Sequence, residues 1–180
     1  QPIMRSRAKA VNFGIVYGIG AFSLAKDIGV SNKEAKHYIE SYLAHYSGVD
    51  SYMKNVVEKA NADGYVETMF GRRRNLPELT SSKHMIRAFG ERVARNMPIQ
   101  GTAADIIKIA MIKVDERMKS ENLRARLVLQ VHDELIVEAP QDESMRVALI
   151  VQEEMENAVK MSVPLTADAA IGRTWYDAKG

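Results

Sequence analysis

The chain has 180 residues, 46% of them apolar, which suffices for one ordinary domain or two small ones and excludes wholesale disorder. Its 25 basic and 23 acidic residues leave a net charge of +2, and the lack of cysteine excludes disulfides and thiolate metal sites. The charge is unevenly spread, since residues 1–130 hold 21 basic and 13 acidic residues and residues 131–180 hold 4 and 10. This split favours a polyanionic partner for the first part and cation binding for the second.

The sequence carries no signal for a membrane or for secretion. A bilayer span needs roughly 18 apolar residues, and the best apolar run, 106–114, is interrupted by Lys108 and Lys113. No charged, apolar and small-residue sequence of a secretory signal is present. We therefore expect an intracellular protein without a membrane partner, and the first residue, Gln1, predicts that it is part of a longer chain.

Helical periodicity dominates the first two thirds of the chain. Apolar spacing predicts a helix over 4–17 that ends at the glycines 18 and 20. The capping box of Ser31 and Glu34 begins a second helix, and a third around 52–60 ends at Gly64. A short strand over 65–70 then turns at Gly71. Further helices are expected from 81 to 97 and from 103 to 119, separated by breaks at Pro98 and Gly101.

The last third mixes strands and helix. Residues 127–131 and 135–139 alternate with a period of two and predict a hairpin, which Pro140 ends. A helix over 142–159 and a short strand over 165–171 follow. These elements predict an α+β fold with a short antiparallel sheet packed on helices, and a domain boundary near Ile86.

The first helix carries a line of four residues with distinct chemistry. Arg5, Lys9, Phe13 and Tyr17 are spaced by four, so they lie within about 120° of one helix face over about 18 Å. Two cations followed by two aromatic rings match a nucleotide, whose phosphates and base lie at opposite ends. A solvated cationic end joined to an aromatic core face would give the same spacing.

Two further sets of long polar side chains could contact nucleic acid. Arg72, Arg73 and Arg74 lie at a predicted turn, where they could meet phosphates or remain solvated. Arg92, Asn96 and Gln100 are again spaced by four and present donors suited to phosphates and groove acceptors. An exposed helix face with a capping asparagine is the alternative.

The sequence His132-Asp133-Glu134 lies at the turn of the predicted hairpin. Carboxylates held between apolar strands suit a magnesium ion, which prefers hard oxygen ligands and needs only one or two carboxylates beside substrate phosphates. A plain polar turn is the alternative. A metal phosphohydrolase would need further clustered ligands, and the other histidines fall on predicted helices.

Together these segments resemble the family A DNA polymerases. The spacing Arg5-x-x-x-Lys9-x-x-x-Phe13-Gly14-x-x-Tyr17-Gly18 is similar to the nucleotide-binding helix motif of that family. The segments 70–74, 96–105 and 130–134 resemble family segments in the same order. The resemblance covers essentially the whole chain and implies that residues 1–86 belong to the helical fingers and residues 87–180 to the C-terminal part of the palm.

The resemblance also implies roles for residues in nucleotide binding. Arg5 and Lys9 would hold the triphosphate of the incoming dNTP, and Lys9 would act as the general acid toward the departing pyrophosphate. Phe13 would pack on the sugar and disfavour sugars that lack the 3′-hydroxyl. Tyr17 would lie beside the templating base.

The remaining implied roles concern primer-template DNA and Mg²⁺. The implied DNA contacts are Arg92, Asn96 and Gln100 near the terminal base pair, with Gln130 and His132 near the primer end. Asp133 would bind the catalytic metal and Glu134 would assist nearby. The second metal-binding aspartate of the family belongs to a segment that should precede Gln1, as does the thumb, so we expect this chain to be an incomplete polymerase that depends on the remainder.

Two other classes of function stay open from the sequence. A non-catalytic nucleic-acid-binding module would use the same basic residues without a metal. A helical interaction domain would bury the line from Arg5 to Tyr17 against its own core. For the polymerase interpretation, the expected location is the bacterial cytoplasm, in association with the nucleoid.

Overall fold

Helices dominate the chain, and two small antiparallel sheets complete it, which confirms the predicted α+β class. The computed structural model describes residues 2–179, with side chains from residue 4 onward. The chain divides into two compact units, residues 1–101 and 102–180. None of the helices described over 2–179 is both long and apolar enough to cross a membrane.

The first unit is built mainly from helices. In chain order its elements are α1 (Pro2–Val16), α2 (Ala21–Ile28), α3 (Asn32–His45), α4 (Ser47–Asp63), β1 (Tyr65–Glu67), β2 (Arg73–Asn75), a 3-10 turn over Pro77–Thr80, and α5, which begins at His84. One apolar core lies where α2 meets α3, around Leu24 and Ala35. A second contains Ala60 of α4, Val66 of β1 and Ala94 of α5.

Local sequence explains two of these helices. Ser31 and Glu34 form the predicted capping box, in which the Glu34 N–H donates to Ser31 Oγ at 3.2 Å and the Ser31 N–H donates to Glu34 Oε2 at 3.0 Å. Hydrogen bonds from Ser31 to this carboxylate lower the pKa of Glu34. The sequence interpretation missed α2, although Leu24, Ala25 and Ile28 have helical spacing and Gly29 ends it at φ = 69°.

The predicted break at Pro98 and Gly101 is wrong, because α5 runs from His84 to Ser120. An internal proline costs a helix about 3 kcal/mol, which burial of the helix on both sides of it can offset. Ala94 is fully buried before the proline, and Ile107 and Ala110 are buried after it. Gly101 serves close packing instead: a Cβ there would lie 2.7 Å from Thr68 Cγ2, and its carbonyl accepts a 2.9 Å hydrogen bond from Arg72 Nη2.

The second unit packs a hairpin on two helices. It contains the end of α5, β3 (Arg126–Val131), β4 (Glu134–Glu138), α6 (Ser144–Glu156) and the short α7 (Trp175–Lys179). Strands β3 and β4 are antiparallel, with Val131 opposite Glu134 and a register shift between Leu127 and Leu129. The core beneath them contains Val114 and Met118 of α5 and Ile150 of α6.

The predicted strand over 165–171 is also wrong. A strand needs a neighbouring strand to pair with, and β3 and β4 pair only with each other among the described residues. Residues 165–171 therefore form no regular secondary structure. Their backbone contact to α6 is a 3.1 Å hydrogen bond from the Ala167 N–H to Glu156 Oε1.

An ion-pair network joins the end of α5 to α6. Arg117 Nη1 lies 2.7 Å from carboxylate oxygens of both Glu153 and Glu154, and Arg117 Nε lies 3.3 Å from Glu121 Oε1. Arg146 Nε donates to Glu121 Oε2 at 2.6 Å. The hydrogen bond from Arg146 is the largest effect and lowers the pKa of Glu121. Burial opposes it, and the hydrogen bond from Arg117 lowers the pKa further.

We predict that Gly101→Ala destabilises the protein because its methyl group would collide with Thr68, which is itself buried. The expected loss in the free energy of unfolding is about 1–3 kcal/mol, measured by urea denaturation. Gly48→Ala is the matched control, since nothing lies within 4 Å of a Cβ there and alanine favours the helix. Equal destabilisation by both variants would contradict the assigned role of Gly101.

We predict that Glu121→Gln lowers the melting temperature at neutral pH and that the difference from the wild type shrinks in acid. A carboxyl group whose pKa is lowered by folding stabilises the protein above its unfolded value, 4.5 for Glu, and that contribution is lost as the pH falls through the folded value. Differential scanning calorimetry across this range measures the effect. Glu116→Gln on the exposed side of α5 is the control, and a pH-independent difference for Glu121→Gln would refute the assignment.

Candidate functional site

The four residues predicted to meet a nucleotide lie along one exposed side of α1, with Tyr17 directly after the last residue of the helix. The side chains of Phe13 and Tyr17 are 51% and 36% exposed, and Arg5 and Lys9 are exposed as well. The Phe13 and Tyr17 rings stack with centroids 6.2 Å apart, and Lys9 Nζ lies 5.8 Å from the Phe13 centroid. This set, called the α1 face below, is continuous and is not a buried aromatic core.

Burial on the other side of α1 fixes which way this face points. Ile15 is 2% exposed, and Ala10 and Val11 pack against the α2–α3 core. The α1 face therefore lies on the side of the helix away from that core. Within α1 the charged residues are Arg5, Arg7 and Lys9, with no acid among them, and none of the three forms an ion pair within residues 4–179. The cationic end is thus available to an anion.

A Schellman motif ends α1 directly after the aromatic pair. The Gly18 N–H donates to the Ile15 carbonyl at 2.9 Å and the Ile19 N–H donates to the Gly14 carbonyl at 2.8 Å. Gly18 has φ = 76°, which favours glycine, and a Cβ on Gly14 would lie 3.0 Å from Ile19 Cγ2. The two glycines therefore allow the chain to reverse at Tyr17, and Tyr17 lies at the helix end.

The same reversal places the end of α1 beside α5. A Cβ on Gly18 would lie 3.5 Å from Arg95 Nη1 and 3.8 Å from Arg92 Cγ. Arg95 forms a 3.2 Å ion pair with Glu91, whereas Arg92 lies over the Phe89 ring at 5.9 Å and pairs with no acid among residues 4–179. The structure thus brings Arg92, a predicted DNA contact, next to the end of the α1 face.

The other predicted DNA contacts on α5 differ in exposure. Because α5 continues through Pro98, Arg92, Asn96 and Gln100 lie on one side of one helix, each step drifting by about 40°. Gln100 is exposed. Asn96 Oδ1 is buried and accepts no hydrogen bond from the described residues, an arrangement that costs a buried acceptor about 1–3 kcal/mol.

The three consecutive arginines do not form one cationic patch. Arg72 donates to the Gly101 carbonyl, and Arg73 pairs with Glu67 at 3.3 Å and lies 4.4 Å from the Tyr65 ring centroid. Arg74 is exposed and pairs with no acid among residues 4–179. Two of the three side chains therefore hold the β1–β2 hairpin in place, and Arg74 is the one left to contact a phosphate.

In the second unit the predicted hairpin and its turn are confirmed. His132 and Asp133 form a two-residue connection between β3 and β4, and His132 has φ = 54°. Gln130 Nε2 donates a 2.6 Å hydrogen bond to the His132 carbonyl, which fixes the turn from within. Both turn side chains are exposed. The hairpin thus brings together Gln130, His132, Asp133 and Glu134, as the sequence predicts.

The turn offers one free carboxylate for a metal ion. Asp133 makes no hydrogen bond or ion pair with the rest of the described chain, whereas Glu134 Oε1 lies 3.2 Å from Lys179 Nζ. Over residues 2–179, no group of three or more histidine, aspartate or glutamate side chains is placed to hold a metal. The hard oxygens of Asp133 fit a divalent cation whose other ligands come from elsewhere.

Sequence reasoning missed Lys179 as a neighbour of this turn. Its contact with Glu134 joins residues 45 positions apart, and no periodicity or motif links the two. A cavity of about 820 Å³ in the second unit is lined by Asp133, Glu134, Trp175 and Lys179 together with apolar residues of α5 and α6. The C-terminal helix is therefore part of the surroundings of the turn.

Comparison with known proteins identifies the family. The sequence profile of DNA polymerase family A matches residues 1–177. The chain is 55% identical over 178 residues to DNA polymerase I of Bacillus caldotenax, and 54% identical over 176 residues to that of Geobacillus stearothermophilus. These matches cover 99% and 98% of the chain but 20% of each relative, so the chain spans about a fifth of the length of these curated relatives.

A solved structure has the same fold. It is the POL domain of Pol1 from M. smegmatis, in complex with DNA primer-template and dNTP. The TM-score is 0.95 at 46% sequence identity, and the match covers 100% of this chain and 32% of that chain.

We predict that Gly18→Ala destabilises the protein by about 1 kcal/mol, because an L-residue is strained at φ = 76°. The measurement is the free energy of unfolding in urea. Gly20→Ala provides the control, since Gly20 has φ = −80° and nothing lies within 4 Å of a Cβ there. If Gly18→Ala were as stable as Gly20→Ala, the Schellman motif would not be what holds the end of α1.

Proposed function

This chain belongs to DNA polymerase family A, and on that premise we propose that it takes part in template-directed DNA synthesis. In this reaction the 3′-hydroxyl of a primer attacks the α-phosphate of a dNTP and pyrophosphate leaves. The observation that carries the proposal is the α1 face, where unpaired cations continue into exposed, stacked rings. The M. smegmatis relative, solved with DNA primer-template and dNTP, supports the same substrates.

The α1 face binds the incoming nucleotide along its length. Arg5 and Lys9 hold the triphosphate, since a guanidinium offers a planar fork and an ammonium a point charge to phosphate oxygens. Lys9 also donates a proton to the departing pyrophosphate, and its ammonium has no acid partner among the described residues that would compete for it. Phe13 packs on the sugar and Tyr17 lies beside the templating base.

Primer-template DNA contacts both units in this proposal. The α5 contacts to template or primer, near the terminal base pair, are Arg92, Asn96 and Gln100. Because Asn96 Oδ1 is buried and Gln100 is exposed, the two side chains contact different groups of the DNA. Gln130 and His132 lie near the primer end. Because Gln130 already donates to the His132 carbonyl, its part is to hold the turn as much as to touch the primer.

The metal of the proposed reaction is Mg²⁺, held in part by Asp133. The carboxylate of Asp133 is exposed on a hairpin turn and is free of partners within the described residues, as a metal ligand requires. When bound, the divalent cations stabilise charge on the attacking and leaving oxygens. Glu134 assists from the next position. The chain's own contribution is then mainly positioning and charge neutralisation.

The chain acts as part of a larger polymerase in this proposal. Residues 1–86 form the fingers and residues 87–180 the C-terminal part of the palm, and the remainder of the polymerase provides the thumb and a second metal-binding aspartate. The short share of each relative that the chain covers supports this. The bacterial origin of the relatives supports a location in the cytoplasm, and association with the nucleoid is part of the proposal.

We predict that the chain binds dNTPs and that Lys9→Ala weakens this binding about tenfold, as expected for the loss of one charge-assisted hydrogen bond. Equilibrium titration with a fluorescent dNTP measures the affinity. Lys26→Ala, which removes an exposed cation from α2, should leave it unchanged. Equal losses in both variants would mean that net charge, and not the α1 face, attracts the nucleotide.

Primer extension tests the complete function. The matching 178 residues of the Bacillus caldotenax polymerase are replaced by this chain, and we expect the chimera to extend primers and Asp133→Ala to abolish extension. A chimera that folds and binds primer-template but does not extend primers would contradict the proposal. The isolated chain should not extend primers, and template-dependent incorporation by it would disprove its incompleteness.

DNA binding separates the polymerase from a non-catalytic binding module. Salt-dependent DNA affinity that responds neither to magnesium nor to Asp133→Asn would favour the module. Metal-dependent nucleotide binding would favour the polymerase. A purely structural helical domain would require the α1 face to be buried in the core. In the structure, Phe13 and Tyr17 of this face are exposed.

A further inference from the structure

Lys179, near the end of the chain, contacts the carboxylate next to the proposed metal ligand. Its ammonium lies 3.2 Å from Glu134 Oε1 and 3.4 Å from Glu134 Oε2, so both oxygens face the same cation. Asp133, one residue earlier, has no partner among the described residues. Of the two adjacent carboxylates at this turn, that of Glu134 is thus paired with a cation and that of Asp133 has no partner among the described residues.

Contacts within the C-terminal segment hold Lys179 near Glu134. Thr174 and Asp177 cap α7 reciprocally, with Thr174 Oγ1 2.7 Å from Asp177 Oδ2 and the Asp177 N–H donating back to Thr174 Oγ1 at 3.2 Å. A Cβ on Gly172 would lie 2.6 Å from the Ala178 nitrogen, so only glycine allows this segment to pack so closely on α7. Lys179 Nζ also lies 5.3 Å from the Trp175 ring centroid.

We propose that Lys179 is a positioning residue that holds Glu134 away from the divalent cation, so that Asp133 is the carboxylate that this turn offers to the metal. The inference rests on the proposed function and deepens it. Without Lys179, Glu134 is free to turn toward the same cation and chelate it together with Asp133. The ammonium therefore sets both the number of carboxylate ligands and the net charge beside the metal.

The solvent exposure of the Lys179–Glu134 pair determines how strongly it can affect cation binding. The Lys179 and Glu134 side chains are 60% and 42% exposed, so the pair is a weak and reversible restraint rather than a fixed bridge. Removing one charge near a cation site and releasing one carboxylate should tighten divalent-cation binding roughly three- to tenfold. A structural anchor alone would leave cation binding unchanged.

The experiment follows Mn²⁺ binding to the isotope-labelled 180-residue chain by line broadening of backbone amide signals. This measurement resolves weak binding residue by residue and does not depend on catalysis. The principal variant is Lys179→Met, which keeps the length of the stem over Trp175 and removes the charge. Lys179→Arg preserves the cation. Lys119→Ala is the matched control, since Lys119 forms a 2.6 Å ion pair with Asp115 elsewhere in the second unit.

In Lys179→Met we expect broadening at Asp133 and Glu134 at three- to tenfold lower Mn²⁺ concentration than in the wild type. Lys179→Arg and Lys119→Ala should titrate as the wild type does, and adding Glu134→Gln to Lys179→Met should remove the gain. A wild-type titration for Lys179→Met would overturn the proposal. So would a gain that persists in the double variant, because it would not act through Glu134.

The fluorescence of Trp175, the one tryptophan of the chain, separates positioning from docking. An unchanged emission in Lys179→Met, together with tighter Mn²⁺ binding, supports positioning. A red-shifted emission with unchanged Mn²⁺ binding shows that the pair only docks α7 and refutes the proposal. Failure of the polymerase proposal would appear separately, as loss of dNTP binding or of primer extension by the chimera.

Discussion

The reversal of the chain at the end of α1 determines which way the cations and rings of that helix point. Two hydrogen bonds to the carbonyls of Gly14 and Ile15 end the helix, and the positive φ of Gly18 turns the chain toward α2. Because Ile15 is buried on the opposite side, the α1 face is directed away from the core. The cations Arg5 and Lys9 and the rings of Phe13 and Tyr17 therefore follow one another along an exposed side of this helix.

The second unit supports its functional groups in a different way. A two-residue turn places Asp133 between strands whose inner faces pack on α5 and α6, so the carboxylate stands on fixed backbone and still reaches solvent. The ion pairs that join α5 to α6 stabilise the two helices on which the hairpin packs. Lys179 of the C-terminal helix pairs with Glu134 beside the turn. Many charged side chains in this unit are paired, whereas Asp133, which the proposed chemistry uses, has no partner among the described residues.

Much of this arrangement could be predicted because it is local in sequence. The capping box at Ser31, the hairpin around His132 and the line of residues spaced by four on α1 each depend on neighbours within a few positions. Helix α2 was missed although its spacing is local, whereas the two wrong predictions, at 98–101 and at 165–171, depended on distant contacts. Packing of α5 on both sides of Pro98 offsets the helix-breaking effect of the proline, and the close approach of Thr68 accounts for the glycine at position 101. The segment 165–171 has no neighbouring strand among the described residues. The contact of Lys179 with Glu134 spans 45 positions, and nothing in the sequence pattern indicates it.

Nucleotide binding along α1 can be tested by mapping which backbone amides of the chain respond to the separate parts of a nucleotide. We expect pyrophosphate to shift the amide signals near Arg5 and Lys9 and a deoxynucleoside to shift those near Phe13 and Tyr17. A dNTP should shift both sets. Responses to pyrophosphate at Arg74 or at the hairpin turn, with α1 unchanged, would contradict this expectation.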